Sequence, residues 1–94
     1  MPDVTLDAVI VQTPGQLVAE VEGELVMMSL EQGEYYGLDA IATDIWRRLA
    51  QPVRVVDLVH QLTDAYEGDP DVIAADLCRF LTALAGKGLV EVRE

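Results

Sequence analysis

The sequence predicts an α+β fold, a three-stranded antiparallel β-meander followed by three α-helices. Apolar residues recur at every second position in the strand-like first part and at a spacing near 3.6 from Ile41 onward. Turn signals at Glu22-Gly23 and around Gly33 cut the first part into three runs. Asp39 and the pair Asp69-Pro70 stand where helices should begin. The chain has 94 residues, about half of them apolar, enough for one compact domain and no second.

Taken in order, residues 1–16 carry a modest apolar stretch, Val9-Ile10-Val11, closed by Pro14-Gly15, and read as an N-terminal arm or a short extra strand. Leu17 to Glu22 alternates, with Leu17, Ala19 and Val21 on one face and Glu20 and Glu22 on the other, the pattern of a half-buried strand. Leu25 to Leu30 is apolar on both faces, as expected of the central strand. The turn from Leu30 to Glu34 uses Gly33 for a positive φ and leads into Tyr35-Tyr36-Gly37-Leu38. The first helix is expected over residues 40–50, burying Ile41, Ile45 and Leu49 with Trp46 beside them, and Gln51-Pro52 ends it. The second runs from Val55 to Tyr66 and buries Val55, Leu58, Val59, Leu62 and Tyr66, with Gly68 as its stop. The third runs from Pro70 to about Ala85 on a stripe of Ile73, Leu77, Phe80, Leu81 and Leu84. Leu89 to Val92 closes as an extended tail.

Charge narrows the functions. There are 17 acidic and 6 basic residues, a net of −11, and no Lys, Arg or His before Arg47. Such a chain repels phosphate backbones and anionic lipid, so neither nucleic acid nor a membrane surface is an expected partner. A winged-helix reading of three helices and a small sheet fails as DNA binding on the same ground, since the third helix offers Arg79 against Asp71 and Asp76. No apolar run is long enough to span a bilayer, and the reading is of a soluble, cytoplasmic protein.

Chemistry is scarce. His60, the single histidine, falls beside Asp57 and Asp64 and away from the apolar stripe, which suits a solvent-facing side chain. Cys78, the single cysteine, has no neighbouring histidine or basic cluster and reads as a small buried thiol. Ser29 in Ser29-Leu30-Glu31 invites comparison with the attachment serine of an acyl carrier, but it lies in a strand rather than at a helix start. Neither a phosphate loop nor a metal-ligand spacing is present, and no cofactor, metal or catalytic residue is expected.

What remains is an aromatic strand edge. Glu34, Tyr35, Tyr36, Gly37 and Leu38 form the last strand of the meander, without the Lys, Pro or bulge that protects most sheet edges. An extended peptide could add there, with the third helix as a wall; on a helical wheel one flank of its stripe is Val72, Asp76, Arg79 and Ala83, the better candidate for a groove, the other is Asp71, Ala75, Cys78 and Ala85, and the wheel leaves open which meets the strand. Alternation leaves open which edge N–H groups face outward; a proline at position 36 would weaken binding if that residue's is one of them.

The series Glu22-Gly23-Glu24-Leu25-Val26, Gly33 to Asp39, Ile45-Trp46-Arg47-Arg48-Leu49, Asp76 to Leu81 and Gly88-Leu89-Val90 resembles the PqqD-like family, the recognition elements for precursors of ribosomally made, modified peptides. Tyr-Tyr-Gly-Leu and the helical Trp are most similar to its stand-alone members from lasso-peptide clusters. The resemblance covers residues 17–92 and implies a leader-binding domain over 17–94. It implies that a precursor's leader adds as an antiparallel strand to residues 34–38 against the third helix, with Asp76, Arg79, Phe80 and Ala83 as the candidates on the helix wall. It further implies partners, a transglutaminase-like leader peptidase and a cyclase, and no activity of the chain's own. An interaction subunit that stabilises an enzyme without binding peptide is the alternative, and a carrier protein a more distant one.

Overall fold

The computed structural model describes residues 4–29 and 33–93, so part of the expected turn, Leu30 to Gln32, lies outside the described residues. In chain order the elements are β1 (Val9–Gln12), β2 (Leu17–Val21), β3 (Glu24–Ser29), β4 (Glu34–Gly37), α1 (Ala40–Arg48), β5 (Val53–Arg54), α2 (Val55–Tyr66), α3 (Pro70–Gly86) and β6 (Val90–Arg93). The α+β class and the order of meander and three helices stand as expected.

The meander β2-β3-β4 is antiparallel throughout. Glu22 and Gly23, both at positive φ, make the two-residue loop that joins β2 to β3. Gly33 also takes a positive φ, at +66°, on entry to β4. Alternation along β3 sends Leu25 and Met27 into the core, where Leu38 joins them beyond β4.

The second sheet, ordered β5-β1-β6, was only partly foreseen. β1 is its middle strand, pairing Val9–Gln12 with the C-terminal β6 and Val9-Ile10 with the two-residue β5. The closing tail is therefore a paired strand. Backbone bonds extend the docking, with Gln12 N–H donating to Leu49 O at 2.9 Å and Val55 N–H to Ala8 O at 2.9 Å. Ile10, Leu49, Val55 and Leu89 are fully buried where this sheet meets the helices.

Each helix begins as its sequence directs, α1 with the Asp39 carboxylate accepting from Ala42 N–H and α3 with Asp69 accepting from Asp71 N–H. Three expectations of burial are corrected. Every residue of β2 is exposed, because it is an edge strand: among the described residues no helix lies over the face of Leu17, Ala19 and Val21, and the helices leave Val18 and Glu20 on the other face open as well. Ile41, in the first turn of α1, is 54% exposed on the rim of a cleft, and Tyr66 is displaced outward at the end of α2 because its hydroxyl reaches Asp44. The stop of α2 also differs: Glu67 takes the left-handed conformation, φ +51°. Gly68 matters for space instead, since a Cβ there would lie 2.8 Å from Ile73 Cδ1.

Candidate functional site

β4 is the edge of its sheet, and among the described residues nothing pairs with its outer side, because the N-terminal strand goes to the other sheet. Its register with β3 is Glu34 opposite Ser29, Tyr35 opposite Met28, Tyr36 opposite Met27 and Gly37 opposite Val26. Leu38 N–H donates to Leu25 O at 2.8 Å, so alternation turns the N–H and C=O groups of Tyr36 and Glu34 into the sheet. Those of Tyr35 and Gly37 turn outward. A proline at position 36 would thus break the bond to β3, and the positions that an added strand would use are 35 and 37.

The mouth of the edge is pinned by Thr43 of α1, which is 2% exposed. Its hydroxyl accepts from Leu25 N–H at 3.1 Å and donates to Leu38 O at 3.3 Å, replacing the second bond that the two strand ends would otherwise share. Nothing in the apolar pattern marks this residue, since it is polar and falls on the buried stripe of its helix.

Tyr36 and Leu38 share the face of β4 that looks toward the helices. The Tyr36 hydroxyl donates to Glu34 Oε2 at 2.8 Å, and the Lys87 ammonium lies 4.6 Å from the centre of its ring. Partial burial and the Glu34 carboxylate push the Tyr36 phenol above its ordinary range. Lys87 continues a stripe on α3 through Asp76, Phe80 and Ala83, at offsets of four, three and four residues. Sequence reasoning missed Lys87; the signal was its place one turn beyond Ala83.

Where β4 ends, a mostly apolar cleft of about 350 Å³ opens among α1, α2 and α3, lined by residues that include Ile41, Ile45, Tyr66, Ile73, Asp76 and Phe80. Of the expected wall, Asp76 and Phe80 line this cleft and Ala83 is exposed on the same stripe. Arg79 stands apart. It borders a separate depression with Val4, Cys78 and Thr82, where Val4 N–H donates to Thr82 Oγ1 at 3.0 Å, while its guanidinium pairs with Asp76. The N-terminal segment thus lies against the side of α3 that carries Cys78, Arg79 and Thr82.

α1 is tied to α2 by a network centred on Asp44, which accepts from the Tyr66 hydroxyl at 2.6 Å and from Arg48 Nε at 2.9 Å. The Tyr66 bond and the Arg48 guanidinium hold the Asp44 carboxyl below the usual carboxylate range. Arg48 also reaches Gln61, and Arg47 pairs with Glu20 of β2. The first cations of the chain therefore fasten α1 to its neighbours.

Other candidates for chemistry stay apart. His60 is exposed, and burial pushes the Cys78 thiol up, away from the reactive thiolate. Ser29 ends β3 and is not at a helix start. Among the described residues no three His, Cys, Asp or Glu side chains gather to hold a metal, and no helix is long and apolar enough to cross a membrane.

Comparison with known proteins follows the same outline. No curated protein matches the chain. A solved structure, TbiB1 in complex with the TbiA(beta) leader peptide, is similar over 86% of this chain and 94% of its own, with a TM-score of 0.77 and 33% identity. The family described as coenzyme PQQ synthesis protein D matches residues 24–90, from the start of β3 to the start of β6. With its central strand, its open edge and all three helices inside that match, the chain belongs to the PqqD family.

Proposed function

We propose that the protein binds the leader region of a ribosomally synthesised precursor, of the lasso-peptide class, and presents it in the cytoplasm to a leader peptidase and a cyclase while performing no chemistry itself. The observation that carries the reading is the open β4 edge beside an apolar cleft, in a chain 33% identical to a protein solved with a leader peptide. Strand addition gives affinity through the outward N–H and C=O groups of Tyr35 and Gly37, and the flanking cleft gives selectivity. A strand antiparallel to β4 enters at the Leu38 end. Its early residues would then lie beside the cleft and place a large apolar side chain there, and its later residues would pass Lys87 and Glu34. Of the expected contacts, Glu34 to Leu38, Asp76, Phe80 and Ala83 suit this path, with Lys87 added; Arg79 contributes through Asp76.

The test starts from whether the genes beside this one encode a short precursor, and is then a fluorescence-anisotropy titration with two labelled peptides, the TbiA(beta) leader and the leader of that precursor. Saturable binding of the second, with or without the first, is expected. Failure of both to bind would refute the reading.

A further inference from the structure

β2 is the other edge of the meander, and among the described residues nothing pairs with its outer side. All of its residues are exposed, Leu17 by 50%, Val18 by 43% and Val21 by 57%. Soluble proteins guard such an edge with Lys, Pro or a bulge. β2 carries none of these: its register with β3 runs unbroken from Leu17 to Val21, and its one charged side chain, Glu20, is already paired with Arg47 of α1.

The phase of the ladder shows what this edge offers. Leu38 N–H donates to Leu25 O, so Leu25 turns its polar groups toward β4, and its neighbours Glu24 and Val26 turn theirs toward Val21 and Ala19. The N–H and C=O groups of Val18 and Glu20 therefore point outward. A second copy running antiparallel, with Ala19 on the two-fold axis, brings its Glu20 opposite Val18 and its Val18 opposite Glu20, which satisfies all of these groups at once. The same register sets Leu17 beside the second copy's Val21 on the outer face and the two Ala19 side chains beside each other, so apolar meets apolar and no carboxylate faces another across the pair. A shift of two residues one way brings the two Glu20 side chains face to face, and a shift the other way leaves Val21 beyond the end of the second copy's strand.

Space allows the pairing and area limits its strength. α1 lies over β3, where the Thr43 hydroxyl accepts from Leu25 N–H. The two β3 strands of the pair would stand three strand spacings apart, about 14 Å, and helices over them clear each other, since helices in contact lie at about 8–10 Å. An edge about 17 Å long and about 10 Å thick covers far less than the ~800 Å² per partner of a stable interface. Each copy also carries a net charge of −11. Association is therefore weak, and salt strengthens it by screening that repulsion.

We infer that the protein self-associates through β2, as a weak two-fold dimer with one six-stranded sheet in the order β4-β3-β2-β2-β3-β4. Both β4 edges stay free at the outer ends of that sheet. The inference holds whatever β4 binds.

The test is sedimentation equilibrium of the full chain from about 1 μM to about 1 mM, at about 0.1 M and about 1 M salt. The mass is expected to rise with concentration from one chain toward two, and further at the higher salt. Val18→Pro removes an outward N–H and spares the ladder to β3, while Ala19→Lys sets two ammonium groups across the axis even as it lowers the net negative charge. Each is expected to weaken association about tenfold or more, about 1.4 kcal/mol per tenfold, whereas Tyr35→Pro, on the opposite edge, associates as the wild type does. Backbone-amide spectra of the wild type give the same reading without a substitution, with the shifts that follow protein concentration expected at Val18 and Glu20. A mass of one chain at every concentration overturns the inference. Association that the β2 variants retain, with their fold confirmed by circular dichroism, also overturns it. Loss of association in Tyr35→Pro, or concentration-dependent shifts confined to Tyr35 and Gly37, assigns the contact to β4 instead.

Discussion

Thr43 is the side chain on which the geometry of the edge depends most. It sits between the last residues of two strands and serves a donor and an acceptor that have no water to turn to. Thr43→Val keeps the shape and leaves both backbone groups unsatisfied, at a cost of about 1–3 kcal/mol; thermal melting should show it, and Thr43→Ser should restore most of the loss. Asp44 gives a second, pH-resolved check. Its carboxyl is held low in the folded state, so its contribution is present above the ordinary carboxylate range and is lost as pH falls through the lowered folded value. Asp44→Asn should therefore lower the melting temperature at pH 7, and the gap to wild type should close in strong acid. A gap independent of pH would mean that the bond to Tyr66 acts by geometry alone.

Among the elements, β4 carries the proposed function and β2 carries the misreading. Both alternate in sequence, and alternation alone does not say whether anything covers the face it defines. The expected burial of Leu17, Ala19 and Val21 failed because α1 packs on the opposite parity. The same limit applied to the edge, whose position was legible from the two turns while its outward residues waited for one hydrogen bond, Leu38 to Leu25, to fix the phase. Proline substitution tests that phase. Tyr35→Pro and Gly37→Pro should cut leader affinity by about tenfold or more with the fold retained, whereas Tyr36→Pro should lower the melting temperature by breaking a ladder bond. Circular dichroism and anisotropy on the three variants separate the outcomes. The sheet β5-β1-β6 was least legible, because two of its strands pair across almost the whole chain and the third has only two residues. Such pairings are set by packing rather than by local pattern.

For the molecule as a whole, the helices were legible because their caps and stripes agree, and the meander because its turns are short. The cleft was not, since Ile41, Tyr66 and Phe80 converge only once α1, α2 and α3 are packed. The acidic excess is now localised: the cation-free stretch contains the whole meander, and the first cations tie α1 to β2 and α2. A basic leader should be drawn to that region, so its association rate should fall as salt rises from about 0.1 M to about 1 M, where the Debye length shrinks from about 10 Å to about 3 Å. Stopped-flow measurement across that range checks it, and an indifferent rate would assign the charge to solubility. The most direct test of strand addition is a backbone-amide NMR titration of the labelled protein with a leader peptide that the anisotropy measurement shows to bind. The largest shifts are predicted at Tyr35 and Gly37 and along Asp76, Phe80, Ala83 and Lys87, and shifts confined to β2 or to the β5-β1-β6 sheet would contradict it.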